Sequence, residues 1–256
     1  MASDRIVSLA PSATATIAAM GGADRLVGVT THCELEDRDV ETIGGWLNPK
    51  YDRLSAVDPD LVCTSDALQR DVTEALRERG YEVFHQEPAR LSEVIEGFVD
   101  LGAAIGDPAA GERLAAQSRE RLTAVRTAVE GRDRPVVYCE EWSDPPMAAG
   151  NWVPDAVEAA GGRYPFVQAG ERSAEVSQAA IESTNPDHAV LHVCGFGDRV
   201  SPERITSREW AIDPEVHVFD DSLLNQPSPR LLDGIEQLVR RLHPEAFVDA
   251  TGESER

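Results

Sequence analysis

DPAAGERLAAQSRERLTAVRTAVEG, residues 107–131, is the longest helical pattern in the chain. Asp107-Pro108 opens it, with proline where a helix needs no backbone donor, and Gly131 closes it. Between these signals Leu114, Ser118, Leu122, Val125 and Val129 recur at steps of three and four. The other faces carry Glu112, Arg113, Arg119, Glu120, Arg121 and Arg126. So narrow an apolar stripe, on a helix of about 23 residues or roughly 35 Å, suits a connecting rod along two lobes better than a core helix. The expected organisation is an N-terminal lobe over residues 1–106, a connecting helix over 107–131 and a C-terminal lobe over 132–256.

On the N-terminal side, Arg5-Ile-Val-Ser-Leu-Ala reads as a buried strand stopped by Pro11. Ser12 is expected to cap a helix through Met20, which Gly21-Gly22 ends. Leu26-Val-Gly-Val-Thr is a second strand and Asp58-Pro-Asp-Leu-Val-Cys a turn into a third. A helix over Leu68–Arg79, a strand at Tyr81-Glu-Val-Phe and a helix from Ser92 to Ile105 follow. On the C-terminal side the pattern restarts, with a strand at Pro135-Val-Val-Tyr-Cys and a helix from Trp152 ended by Gly161-Gly162. Ile181-Glu-Ser-Thr-Asn-Pro-Asp-His-Ala-Val-Leu then echoes Leu54-Ser-Ala-Val-Asp-Pro-Asp-Leu-Val. The alternation predicts an α/β fold of two related Rossmann-like lobes with mainly parallel sheets, joined by one long α-helix, with a ligand cleft between them.

The 256 residues include 46 acidic and 24 basic side chains, for a net charge of −22, and Lys50 is the sole lysine. Such a surface repels phosphate backbones and anionic lipid, which excludes nucleic-acid binding and membrane insertion as expected functions. The charge either steers a cationic partner or forms a solvated coat suited to high salt. Carboxylates are spread along the chain without an acidic block, which favours the coat and a halophilic source. Cys33, Cys63, Cys139 and Cys194 form no C-x-x-C pair and are expected to be buried free thiols. No signal-peptide pattern or transmembrane stretch is present, so the expected location is the cytoplasm, or an extracytoplasmic one if the true N-terminus or export route differs.

Chemistry-bearing residues cluster after the strands. Thr31-His32-Cys33-Glu34 holds three metal-ligating types, but adjacent residues do not share one tetrahedral ion, and no second cluster shows metal-ligand spacing, so no structural zinc site is expected. His32 remains a candidate axial or hydrogen-bonding group for a bound cofactor, with a plain polar loop residue as the alternative. His188 and His192 read as structural. Trp46, in Gly44-Gly-Trp-Leu-Asn-Pro49, and Trp142 and Trp152 lie in loops where core packing explains them poorly; at least two of them are expected to be flat walls for a large conjugated ligand, with one or two plugging the lobe edges as the alternative. Cys194-Gly195-Phe196-Gly197 fails the dinucleotide fingerprint, because Val200 stands where its third glycine belongs, yet it suits close ligand approach. Asn225 and Gln226 could donate amide hydrogen bonds. The sequence has no G-x-S-x-G, Walker A or H-E-x-x-H pattern, which favours binding without catalysis and with no cofactor of its own.

Arg5-Ile-Val-Ser-Leu-Ala-Pro-Ser-Ala-Thr, Gly21-Gly22, Val27-Gly-Val-Thr, Gly45-Trp46, Asp58-Pro-Asp-Leu-Val, Gly80-Tyr-Glu-Val and Ser228-Pro-Arg230 occur in an order that resembles the helical-backbone metal-chelate receptors. These are the substrate-binding proteins of iron-siderophore, haem and vitamin B12 importers, with the class III fold, and the likeness is greatest to their cobalamin-binding branch. The resemblance implies cobalamin or a related corrinoid as ligand, with haem or a ferric siderophore as the alternative. A corrinoid-modifying enzyme using His32 and Glu34 is a further alternative. It implies that Trp46 lies against the ligand, that His32 gives it a nitrogen ligand or a hydrogen bond, and that Asn225 and Gln226 lie near contact positions. With the residues read above, the expected contacts are Ser12, His32, Trp46, Trp142, Trp152, Gly195, Phe196, Asn225 and Gln226, with His32 a candidate axial ligand. The resemblance also implies an ABC permease as partner, docked through Glu74 and Glu203. Cys194-Gly-Phe and Asn151-Trp-Val-Pro-Asp are similar to signal-less relatives, which implies an intracellular corrinoid carrier as the other role.

Overall fold

The computed structural model describes residues 3–35 and 40–247. The chain divides into two compact units, one of Met1–Pro88 and Ser92–Ser118, the other of Ala89–Leu91 and Arg119–Arg256. In the first unit, strands β1 (Ile6–Ser8), β2 (Leu26–Val29), β3 (Glu41–Thr42), β4 (Leu61–Ser65) and β5 (Val83–Gln86) form a wholly parallel sheet in the order β3-β2-β1-β4-β5. Alternation along the strands feeds two cores. Ile6, Leu61 and Cys63 join Ala13 and Ile17 of α1 (Pro11–Ala19) and Leu101 of α4 (Leu91–Ala104). Val7 and Val62 join Leu54 of α2 (Tyr51–Ala56) and Val72 and Leu76 of α3 (Arg70–Glu78).

α1 starts two residues earlier than its sequence suggests. Pro11 occupies the first turn, Ala10 is the N-cap, and Ser12 sits buried inside the helix rather than capping it. Proline sets the helical φ in advance, so no side-chain cap is required.

α5 (Pro108–Ala128) follows the expected pattern. The Asp107 carboxylate accepts the Ala110 N–H at 3.0 Å, and Glu112, Arg113, Arg119, Glu120 and Arg126 are exposed. Its first half packs backbone to backbone on α4, where a Cβ on Gly111 would lie 2.6 Å from the Phe98 carbonyl oxygen and 3.0 Å from Gly102 Cα. The boundary between the units falls inside α5, after Ser118. Past it, Arg121 pairs with Glu236 at 2.8 Å and Asp233 at 2.6 Å, both on α9 (Arg230–Leu242) of the second unit.

The second unit's sheet has a parallel core and, beyond the expected pattern, two antiparallel strands at one side. β10 (Glu215–Val218), β9 (His188–Leu191) and β6 (Val137–Ser143) are parallel, but β7 (Pro146–Ala148) and β8 (Ala174–Glu175) add antiparallel. The stretch Glu141–Pro146, which reads as a loop, is a hairpin: Ser143 pairs with Pro146 across a two-residue turn. Helices α6 (Val153–Ala159), α7 (Gln178–Thr184), α8 (Glu203–Thr206) and α9 complete the unit.

The two echoed turns use one device. Asp58 and Asn185 are left-handed, at φ 41° and 49°, just before the prolines. The Asp60 carboxylate accepts the Arg5 N–H at 2.9 Å while Asp60 N–H donates to the Arg5 carbonyl at 2.8 Å. Asp187 does the same with Val136, at 2.7 and 2.9 Å. Each aspartate thus satisfies backbone groups at the start of a central strand, which explains why the same short pattern recurs.

The α4–α5 crossing leaves no room for a side chain, because the obstruction is backbone. Gly111→Val is expected to cost about 1–3 kcal/mol, read as a lowered melting temperature. Ala116→Val, on the exposed side of the same helix, is expected to change it little.

Candidate functional site

In each unit the candidate residues gather beyond the carboxyl ends of the parallel strands, where open α/β sheets place ligands. In the first unit, β1 leads to Ser12, β2 to His32 and β3 to Trp46. Ser12 is buried. His32 is exposed and its imidazole makes no hydrogen bond among the described residues; only its backbone N–H is engaged, by Thr30 Oγ1 at 3.3 Å. The neighbouring Cys33 thiol is held by Thr14 Oγ1 at 3.1 Å and Thr30 Oγ1 at 3.2 Å, which anchors the His32 loop to α1.

Trp46 stands at the tip of a tight loop. Gly45 and Asn48 exchange backbone hydrogen bonds at 3.2 and 3.3 Å, and exposed Leu47 shares the tip. Gly44 makes the loop at φ 111°, and a Cβ there would lie 2.8 Å from the Asn48 carbonyl oxygen. Beneath the tip lies fully buried Gln69, which the sequence reading did not single out. Its amide donates to the Trp46 carbonyl at 2.7 Å and the Leu9 carbonyl at 3.0 Å, and accepts the Ser65 N–H at 2.8 Å. One side chain therefore ties the ends of β1 and β4 to the tryptophan loop.

In the second unit, Gly195 and Phe196 follow β9, and Asn225 and Gln226 follow β10. The Asp221 carboxylate binds the N–H groups of Gly195 at 2.6 Å and Gly197 at 3.1 Å, fixing the glycine loop. Phe196 is 39% exposed and Arg204 lies 5.0 Å from its ring centroid. Trp142 is 45% exposed, with its indole N–H donated to Asp144 O at 2.9 Å.

Two residues expected to meet the ligand are instead spent on the unit itself. Trp152 is 5% exposed and donates its indole N–H to Leu224 O at 2.7 Å, so it supports the Asn225 loop from behind. Asn225 directs its amide inward: Nδ2 donates to His192 O at 2.8 Å and contacts Cys194 Sγ at 3.2 Å, while Oδ1 pairs with His192 Nδ1. Gln226 is half-buried beside it. Glu74 on α3 and Glu203 on α8 are exposed, one on each unit.

The sequence also conceals a buried ion pair below Trp142. Glu140 is fully buried and takes Arg208 in a two-pronged pair at 2.7 and 2.9 Å, with the Tyr138 hydroxyl donating at 2.9 Å. Burial is the largest single influence and works against the Arg208 charge, but the Glu140 hydrogen bond, the Glu140 charge and Tyr138 together outweigh it and hold its pKa above the usual range. None of the four cysteines is in a disulfide, and Cys63 and Cys139 are buried as expected, but Cys33 is only partly buried and Cys194 is exposed because it opens the loop after β9. Burial pushes the Cys63 thiol up to about 12. The expectation of a single cluster of metal-ligating residues also changes: His188, Glu215 and His217 converge through strand register, which spacing along the chain does not reveal.

Comparison with known proteins fits this architecture. The model of the periplasmic binding protein family matches residues 6–218. The chain belongs to the periplasmic binding protein family. It is 28% identical over 260 residues to a cobalamin-binding protein of Halobacterium salinarum, covering 94% of this chain and 69% of the relative. It is 25% identical over 253 residues to the vitamin B12-binding protein of Vibrio cholerae, covering 93% and 89%. The periplasmic heme-binding protein RhuT of Roseiflexus sp. RS-1 shares the fold, with a TM-score of 0.80 at 22% identity over 95% of this chain and 99% of that one. The fold is thus the class III substrate-binding protein fold, and these relatives are binding proteins, not enzymes, in agreement with the sequence reading. Among the described residues no helix is long and apolar enough to cross a membrane.

His192 gives the second-unit loops a pH dependence. Burial lowers its pKa from 6.5 to about 4, with the Asn225 hydrogen bond opposing. The unfolded chain therefore takes up this proton near its ordinary pKa while the folded chain resists it. Stability is full above that value, falls as pH drops, and the loss is complete below the folded pKa, at about 3 kcal/mol. Urea unfolding between neutral and acid pH is expected to show a shallower decline in His192→Asn, which keeps a donor near the Nδ1 position.

Proposed function

We propose that the chain binds cobalamin or a related corrinoid, as the substrate-binding component of a vitamin B12 uptake system or as an intracellular corrinoid carrier. The observation that carries the reading is the built presentation of Trp46: a glycine-dependent turn and a buried glutamine hold an aromatic side chain at a strand end, beside the loop of an unbonded, exposed imidazole. The aromatic offers a flat apolar face, and His32 offers a nitrogen to a metal centre or a hydrogen bond to a polar substituent. Ser12 and Gln226 complete the polar contacts. In the second unit Trp142, Gly195 and Phe196 supply the contacts, with Asn225 and Trp152 positioning them. Glu74 and Glu203 are the contacts to arginines of an ABC permease. The two cobalamin- and B12-binding relatives support this ligand.

Haem is the second reading, favoured by the likeness to RhuT and by the same free imidazole. Titration with hydroxocobalamin and, separately, haemin, followed by tryptophan fluorescence and visible absorption, separates the two. Saturable quenching by hydroxocobalamin at one equivalent is expected. Trp46→Ala should weaken it about tenfold, or ~1.4 kcal/mol, and His32→Ala should abolish a shift in the cobalt bands. Saturation by haemin alone would transfer the assignment to haem.

The acidic coat is read as an adaptation to salt, in line with the Halobacterium relative. With a net charge of −22, self-repulsion is screened as ionic strength rises. The melting temperature is expected to climb from dilute to molar KCl, and an unchanged value would refute the halophilic reading.

A further inference from the structure

We infer that His188, Glu215 and His217 form a site for a divalent transition-metal ion of the zinc type, at the amino-terminal edge of the second unit's sheet. β9 and β10 are parallel neighbours with His188 opposite Glu215, so His188, Glu215 and His217 fall on one face of the sheet. His188 Nδ1 lies 3.1 Å from His217 Nε2 and 3.7 Å from Glu215 Oε2, and His217 Nε2 lies 3.8 Å from Glu215 Oε1. Ligand atoms around a tetrahedral zinc, at about 2.0–2.1 Å from the metal, stand roughly 3.3 Å from one another. The two imidazole nitrogens already stand at that spacing, while the carboxylate faces each ring with a different oxygen. With one ligand atom from each residue all three lie within 4.8 Å of one another, so side-chain rotation of exposed Glu215 closes the face of such a site. Two imidazoles and a carboxylate leave a fourth position for water or an incoming group.

The surroundings suit the role. The His188 and His217 side chains are 13% and 6% exposed, which restrains them, while Glu215 at 67% leaves an entry from solvent. Burial lowers both histidine pKa values, so the rings are neutral and able to ligate at pH 7. Other charges reach the pair: Asp187 precedes β9 and favours a cation, while Arg241 on α9 and His243 just after it oppose one. The site lies at the opposite ends of β9 and β10 from the Gly195 and Asn225 loops, about 10 Å away along the strands. It is thus separate from the residues proposed for the corrinoid. A hydrogen bond between the two imidazoles is the alternative use of the same geometry.

The test is calorimetric titration of chelator-treated, corrinoid-free protein with zinc chloride at neutral pH, in excess magnesium to occupy exposed carboxylates. One zinc per chain is expected. Loss of even an outer-shell partner commonly costs 10- to 100-fold in metal affinity, so His217→Ala and His188→Ala should weaken binding at least about tenfold. Glu215→Gln, at an exposed position that leaves the fold intact, should also weaken it. Substituting cobalt(II) should give the intense visible bands of four-coordinate geometry in the parent protein alone. Zinc binding of equal strength in the parent and all three variants, or no zinc binding under these conditions, would overturn the assignment.

Discussion

A parallel strand buried on both faces has no place for polar function except at its ends, and its backbone groups there must still find partners. The first unit shows the consequence at its carboxyl edge, where Gln69 closes the backbone of β1 and β4 and holds the Trp46 loop with the same amide. At the amino edges, Asp60 and Asp187 perform the corresponding service for β1 and β6, the neighbours of the strands they precede. In the second unit Asp221 collects two N–H groups of the glycine loop. The side chains free to meet a ligand are those left after this backbone demand is met. His32 and the outer faces of Trp46, Trp142 and Phe196 qualify; Asn225 and Trp152 do not.

Charge is organised in two ways. Surface pairs such as Arg121 with Asp233 and Glu236 are partly solvated and contribute little individually, but they hold the second half of α5 against α9. Glu140 is different, since this fully buried carboxylate depends, among the described residues, on Arg208 and Tyr138 for its side-chain hydrogen bonds. Losing Arg208 would leave that charge unpaired, which is far costlier than loss of a surface pair. The acidic excess itself remains an outer property, and it leaves the alternation of apolar residues in the strands untouched.

How much was legible follows from the range of each signal. α5 could be read because its cap, stripe and solvent faces are local and continuous, and Asp107 caps it as the sequence suggests. The echoed Asp58-Pro-Asp60 and Asn185-Pro-Asp187 turns could be read because a left-handed residue, a proline and a capping carboxylate must be adjacent. The β6–β7 hairpin escaped because Trp-Ser-Asp-Pro-Pro carries turn residues without the alternation of a strand. Gln69 escaped for another reason: a glutamine in a polar stretch gives no sign that the distant Leu9 and Trp46 carbonyls and the nearby Ser65 N–H need it. Asn225 and the His188–Glu215–His217 group likewise depend on strand order and register, which emerge only when the sheet is assembled. Sequence thus located the loops that carry the proposed contacts, and tertiary packing decided which of their side chains remain available.

The most direct test of the corrinoid assignment offers several metal chelates at once. Native mass spectrometry of the protein mixed with equimolar hydroxocobalamin, haemin and a ferric hydroxamate should show one dominant adduct at the mass of the corrinoid complex. A dominant haem or ferric hydroxamate adduct would contradict it and leave the fold with a different cargo.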